Sequence, residues 1–310
     1  MTNRRLGKGD LAGWLVLAGL AGWFYRGTLA GLFARWWDDP TYSHGLLVPF
    51  VSLYFLYEGL RENREMKAEG SLWGAALLVA ALGLFFVGRL GNMLFVQAVA
   101  FIGTLAALAL LVEGRTFLRM AALPIAFLIF MCPLPSGIYD AVSGQLRLFA
   151  SSTSTVLLQL VGVPAASSGN IIYIPNAQLS VEDACSGIRS LFGILATATT
   201  FAFVMRGGFL RKTVLVASAA PIAVFTNIMR VTGTGILQNS GRSGLAEGFY
   251  HQIEGWGFYV IALALLMAEY AVLKAVFPID VGDGKAAAGD GAAGTSAAGD
   301  GAAGGGEVTR

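Results

Sequence analysis

The chain has 310 residues, of which 55% are hydrophobic and 13% are charged. A soluble domain normally carries about 25% charged residues, so this composition, with its repeated long apolar runs, indicates a polytopic helical membrane protein. The net charge of +2 is spread over short loops and gives no indication of a nucleic-acid partner. No metal-ligand spacing surrounds the two cysteines, so we expect neither a metal nor another cofactor.

The fold class that we predict is an all-α polytopic membrane protein with eight transmembrane helices in the lipid bilayer. The first apolar segment follows a basic N-terminus but is long enough to be an uncleaved span, which either continues to residue 32 or ends near Tyr25. The predicted spans are 11–32, 45–60, 72–87, 93–112, 118–132, 188–204, 214–236 and 253–276.

Two stretches of the chain differ from these spans. Residues 138–163 mix apolar positions with a polar run, which predicts one or two amphipathic helices lying on the membrane. Residues 171–174 and 178–182 are strand-like, and the turn residues between them predict a small extracytoplasmic hairpin. We expect residues 1–281 to form the transmembrane domain and residues 282–310, rich in Gly, Ala and Asp, to form a disordered tail.

The distribution of basic residues predicts the orientation of the chain. With the N-terminus in the cytoplasm, eleven basic residues fall on one side of the eight spans and six on the other. The positive-inside rule therefore places both termini in the cytoplasm. It also places Cys185, Arg230, His44 and His251 at the extracytoplasmic face of a cell membrane, although these residues come from different parts of the chain.

Cys185 is the candidate nucleophile. It follows the predicted hairpin and lies in the first turn of a predicted helix that opens at Asp183. The positive end of a helix dipole lowers the pKa of a thiol and favours the thiolate, and Arg189, four residues later, adds positive potential on the same face. The alternative is that Cys185 is only a small residue at a helix start.

Four further residues could support thiol chemistry. Arg230 ends a span, and its planar guanidinium suits an oxyanion or thiolate, with Asn227 on the same face to hold it. His251 begins the last span and could protonate a leaving amine, and His44 competes with it for that role. The alternatives are an Arg230 that snorkels to the interface, a solvated interfacial His251, and a His44 that caps a helix or positions substrate.

These motifs resemble those of the exosortase/archaeosortase family. The resemblance rests on four motifs in order: YSHG at 42–45, GNIIYIP at 169–175 followed by ACSGIRSL at 184–191, NIMR at 227–230, and the spacing of His251 and Gly255. It covers about residues 10–276, and the chain has a Gly/Ala tail where some exosortases carry an extra C-terminal domain.

The resemblance implies a membrane cysteine protease or transpeptidase. It implies Cys185 as nucleophile, Arg230 as charge stabiliser and His251 as acid/base. The implied partners are exported proteins that end in a short sorting motif such as Pro-Glu-Pro, one transmembrane helix and a basic cluster, together with an amine acceptor of unknown identity. The alternative functions are a hydrolytic intramembrane cysteine protease and a non-catalytic membrane scaffold for envelope polymer export.

Overall fold

The computed structural model describes residues 8–63, 69–175, 177–181, 187–205, 208–241 and 249–276, and only the backbone of residues 8–11, 187 and 249–256. These residues form ten α-helices, two short 3-10 helices and one antiparallel sheet. The helices are α1 (Lys8–Phe24), α2 (Arg26–Asp38), α3 (Val48–Glu62), α4 (Trp73–Leu90), α5 (Leu94–Val112), α6 (Arg115–Phe127), α7 (Ser136–Leu160), α8 (Gly187–Val204), α9 (Phe209–Asn239) and α10 (Phe249–Val276). The 3-10 helices are Ser43–Leu46 and Leu128–Met131, and the strands are β1 (Ala166–Ser168), β2 (Ile171–Ile174) and β3 (Ala177–Ser180).

Each of the eight predicted spans falls on helix, and the protein is an all-α polytopic membrane protein apart from its small sheet. The count of eight spans is not confirmed. In the described part of the chain, four helices are long and apolar enough to cross a membrane, or up to six if each of two bent helix pairs is one span. One bent pair is α1 with α2, at 75°, and its break falls at Tyr25. The other joins Arg115–Met131 to Ser136–Leu160 at 79°.

The last turn of α6 offers a hydrogen-bond acceptor to α3. The helix tightens after Pro124, because the N–H of Leu128 bonds the carbonyl of Ile125 rather than that of Pro124. The Pro124 carbonyl is therefore free to accept a hydrogen bond of 2.8 Å from the Ser52 hydroxyl of α3. This bond joins α3 to α6 in the apolar interior, where an unpaired carbonyl would be costly.

Helix α7 is the amphipathic segment expected at 138–163, and it is one helix. Part of its polar run is buried, and one hydroxyl of that run contacts α9. Ser151 and Ser154 are fully buried, and the Ser154 hydroxyl donates to the carbonyl of Ile228 at 3.3 Å. Its outer face carries exposed apolar side chains, including Phe149 and Val156. The polar run thus serves contact between helices.

The sheet packs on α7 and α9 through its apolar face, formed by Ile172, Ile174 and Leu179. Strands β2 and β3 confirm the predicted hairpin, with the second strand beginning at Ala177. Strand β1, which the sequence analysis missed, is short and fully exposed and pairs with β2. The hairpin therefore lies directly before the Cys185 segment.

Helices α8, α9 and α10 pack closely because alanines lie where they meet. Ala198, Ala219 and Ala262 are fully buried in this contact. Small side chains let helix backbones approach in a membrane, where packing rather than the hydrophobic effect drives association. Three helices that carry or adjoin the predicted site residues are thus held together.

Candidate functional site

Cys185 lies in 182–186, outside the described residues, so its role stays a prediction. The residues on either side of this segment are buried. Val181 is buried, and its N–H donates to the carbonyl of Asn170 at 2.9 Å, which fixes the end of the hairpin. Ile188 is buried in the first turn of α8. The Cys185 segment therefore joins two anchored points at one end of the α8–α9–α10 group.

Arg230 is buried in the second half of α9, with 9% of its surface exposed. Its Nη2 donates to Oδ1 of Asn227 at 3.1 Å, which is the contact expected from their spacing. Its Nε is buried and has no hydrogen-bond partner among the described residues. No described acidic residue forms an ion pair with Arg230. A buried cation with a spare donor is costly unless an anion or polar group uses it, which is typical of a functional site.

A small cavity lies beside Arg230, with a volume of about 10 Å³, close to the space that one water molecule needs. Its walls come from three helices: Ser190 from α8, Asn227 and Arg230 from α9, and Phe258 and Tyr259 from α10. The structure therefore brings the first half of α8, which follows Cys185, and the first half of α10, which contains His251, to one arginine.

His251 lies in the first turn of α10, and its side chain is outside the described part. Phe258 follows it by about two helical turns and so lies on nearly the same face of α10. Phe258 lines the Arg230 cavity, so the first half of α10 forms part of the wall of this site. A role of His251 as acid/base stays a prediction.

Tyr259 is a residue of this site that the sequence analysis missed. Its hydroxyl lies 2.6 Å from the hydroxyl of Thr197 on α8, which also bonds the carbonyl of Gly193 at 2.8 Å. Since Thr197 has one proton and the carbonyl can only accept, Tyr259 is the donor to Thr197. This chain of bonds ties α10 to α8 beside the cavity. A Tyr in an interfacial aromatic run gave no specific signal in the sequence.

His44 lies in a different cluster from Arg230. Its Nε2 donates to the carbonyl of Phe130 at 3.1 Å, and Nε1 of Trp36 donates to the carbonyl of Met131 at 2.9 Å. These carbonyls end a 3-10 helix and have no partner within it, so the two rings cap it. A Cβ at Gly45 would overlap the Trp36 ring, which explains the glycine after His44.

The environment of His44 favours its neutral form. Burial lowers the pKa of His44 below the usual 6.5, and hydrogen bonds to the backbone of Phe130 and Thr41 offset part of that effect. A histidine whose ring already caps a helix suits the structural alternative better than proton transfer. Arg189, the other supporting candidate, is exposed on α8.

The bundle of apolar helices with an apolar outer surface defines a multi-pass membrane protein. The chain matches the transmembrane exosortase family over residues 36–268, about three quarters of its length. It therefore belongs to the transmembrane exosortase family, and the match includes positions 185, 230 and 251. Comparisons with curated proteins and with solved structures gave no significant match.

Proposed function

We propose that this protein is a membrane-embedded cysteine transpeptidase that cleaves C-terminal sorting signals at the outer face of the membrane. The observation that carries the proposal is Arg230: a buried cation without a described acidic partner, beside a cavity walled by the three helices that carry or adjoin the other two candidate residues. Membership of the exosortase family supports the reaction class.

In the proposed reaction, the Cys185 thiolate attacks the scissile carbonyl carbon, and the carbonyl oxygen becomes an oxyanion. Arg230 stabilises this charge with its free Nε–H, while Asn227 holds its Nη2. His251 gives a proton to the departing amine, and the carbonyl–nitrogen bond breaks to leave a thioester on Cys185. An amine acceptor then attacks the thioester carbon and gives its proton to His251, and the carbon–sulfur bond breaks to leave a new amide and the Cys185 thiolate.

The proposed substrate is an exported protein with a short motif such as Pro-Glu-Pro, a transmembrane helix and a basic C-terminal cluster. Its basic cluster stays in the cytoplasm by the positive-inside rule, so its motif reaches the outer surface. The predicted orientation places Cys185 at the same level. The hairpin of β2 and β3 leads the chain to Cys185 and would guide the motif.

The test is processing of a co-expressed candidate substrate, followed by its size on a gel. We expect Cys185→Ala and Cys185→Ser to abolish processing while accumulating at the wild-type level. Cys132→Ala is the matched control, because Cys132 is buried with its Sγ 3.8 Å from the carbonyl of Leu128, away from the Arg230 cavity. It should process normally. Processing by Cys185→Ala would rule out the covalent mechanism and favour a scaffold.

Analysis of the product separates transfer from hydrolysis. A transpeptidase leaves the new C-terminus of the substrate joined to an amine, and mass spectrometry detects the added mass. A hydrolytic cysteine protease leaves a free carboxylate on the same residue. Both reactions use Cys185 as nucleophile, so this measurement identifies the acceptor, an amine or water.

A further inference from the structure

A second cavity lies between α3, α6 and α8, away from Arg230, and has a volume of about 400 Å³. Its apolar lining consists of Phe55, Met120 and Phe203, and the Phe55 and Phe203 rings lie 3.9 Å apart between centroids. Its polar lining includes Glu62, Thr116 and Arg119. The volume lies in the range of small-molecule sites, and the two kinds of lining suit an amphiphilic ligand.

Charges of both signs line this cavity. Glu62 and Arg119 are exposed, and neither forms an ion pair anywhere in the described part of the chain. The neighbouring Arg61 is paired with Glu58 at 3.5 Å and does not neutralise Glu62. Among the described residues, the carboxylate and the guanidinium of this cavity thus have no ion-pair partner and face the same ligand.

The dipoles of two helices reinforce the opposite charges of Glu62 and Arg119. Glu62 ends α3, where the partial charge of the helix is negative, so this side of the cavity attracts a cation. Thr116 and Arg119 lie one turn apart at the start of α6, where the partial charge is positive. A hydroxyl and a guanidinium on one helix face suit the oxygens of a phosphate.

The cavity lies at an end of the bundle, between the last turn of α3 and the first turn of α6. The positive-inside rule predicts that this end faces the cytoplasm, so the cavity would lie at the level of the headgroups of the inner leaflet. An apolar floor at this level suits the first part of an acyl chain.

We infer that this cavity binds a phospholipid whose headgroup carries both a phosphate and a primary ammonium, the chemistry of phosphatidylethanolamine. Arg119 and Thr116 bind the phosphate, Glu62 accepts hydrogen bonds from the ammonium, and Phe55, Met120 and Phe203 contact the acyl chains. An anionic lipid without an ammonium leaves Glu62 unpaired beside a negative ligand. A quaternary ammonium has no N–H to donate to Glu62.

The test is titration of the purified full chain in detergent with three lipids of equal chain length, measured by native mass spectrometry. The lipids are phosphatidylethanolamine, phosphatidylglycerol and phosphatidylcholine. We expect the wild type to bind phosphatidylethanolamine at least about tenfold more tightly than the other two, because it alone forms both charge-assisted contacts.

Two variants separate the two ends of the headgroup. Arg119→Gln should weaken both phosphatidylethanolamine and phosphatidylglycerol by about tenfold. Glu62→Gln should weaken phosphatidylethanolamine alone and so remove the preference. Arg89→Gln, which changes an exposed arginine at the end of α4, is the control and should bind as the wild type does. If Arg119→Gln has a lower melting temperature in lipid-free detergent, Arg119→Lys replaces it: the point charge of an ammonium lacks the planar fork of the guanidinium, so phosphatidylethanolamine and phosphatidylglycerol should both bind more weakly than to the wild type.

Equal binding of the three lipids, or wild-type binding by both Arg119→Gln and Glu62→Gln, would overturn the inference. So would the displacement of phosphatidylethanolamine by a short Arg-rich peptide whose binding needs Glu62 but not Arg119, since that would make the cavity a site for a cationic chain segment. These measurements do not involve Cys185, so they stand or fall apart from the proposed reaction.

Discussion

Arg230 is buried and His44 is partly buried, and the sequence predicts both for the same face of the membrane, yet their surroundings differ. The His44 ring and its neighbour Trp36 bond the carbonyls of Phe130 and Met131. Arg230 uses one donor on Asn227 and keeps its Nε free beside a cavity. A buried group whose donor is used by the backbone supports the fold, whereas a spare donor at a cavity can serve a ligand or a transition state.

The largest effect should come from Arg230. Arg230→Gln removes the charge and the free Nε–H, and we expect processing of the substrate to slow by about 100- to 1000-fold, as for loss of an oxyanion donor. The measurement is the initial rate of substrate cleavage in membranes, normalised to the amount of each variant. Arg230→Lys should also fail, because an ammonium does not replace the planar guanidinium. Arg89→Gln is the control, and a rate for Arg230→Gln within twofold of it would make Arg230 structural.

Loss of Asn227 should have a smaller effect. Asn227→Ala removes the acceptor that holds Nη2 of Arg230, and we expect about a tenfold lower rate from the loss of one charge-assisted hydrogen bond. Thr213→Val removes an exposed hydroxyl that bonds only its own helix and should leave the rate unchanged. If the double variant Arg230→Gln/Asn227→Ala is no slower than Arg230→Gln, Asn227 acts through Arg230; additive losses would contradict that role.

The Tyr259–Thr197 contact should have a smaller effect still. Tyr259→Phe and Thr197→Val each remove one side of the bond that ties α10 to α8, and we expect about a threefold slower rate for either. Because both act on one contact, the double variant should resemble each single variant. Rates that multiply in the double variant would show that the two hydroxyls act separately.

His44 should affect stability and leave processing by the folded protein unchanged. His44→Ala removes the bond to the Phe130 carbonyl and should lower the free energy of unfolding by about 1–3 kcal/mol. The measurement is thermal unfolding in detergent, with the cleavage rate determined below the transition. A large loss of rate in folded His44→Ala would move His44 into the reaction and weaken the contrast with Arg230.

The pH dependence of unfolding tests the same environment. Because burial lowers the pKa of His44 in the folded state, the unfolded chain binds a proton more readily, and stability should fall as the pH drops below 6.5. The melting temperature of the wild type should therefore fall more between pH 7 and pH 5.5 than that of His44→Gln. Parallel curves for the two proteins would contradict the effect of burial.

The parts of the fold that the sequence predicted are those set by local spacing. The contact between Asn227 and Arg230 follows from their positions one turn apart in α9, and the hairpin follows from two short strands around turn residues. The capping of Phe130 by His44 does not follow from local spacing, because it depends on which helices pack together. The same holds for Tyr259 and Thr197, and for the cavity between α3, α6 and α8.

The polar run of α7 illustrates the limit in another way. Ser151 and Ser154 are residues typical of a water-exposed surface, but both are buried, and the Ser154 hydroxyl bonds the Ile228 carbonyl of α9. In a membrane protein the polar face of a helix can turn inward, because its apolar face has lipid to contact. The spacing of polar residues thus predicts that a helix has a polar face. It does not predict whether that face turns toward water or toward another helix.

Detection of the thioester is the most direct test of Cys185 as the nucleophile. The protein is mixed with the candidate substrate, quenched in acid, digested and analysed by mass spectrometry, with Cys132→Ala and Cys185→Ala in parallel. We expect an adduct with the mass of the upstream substrate fragment on the peptide that contains Cys185. This adduct should be present in Cys132→Ala, absent in Cys185→Ala and removed by neutral hydroxylamine. An adduct on another residue, or full processing by Cys185→Ala with no adduct, would contradict this role of Cys185.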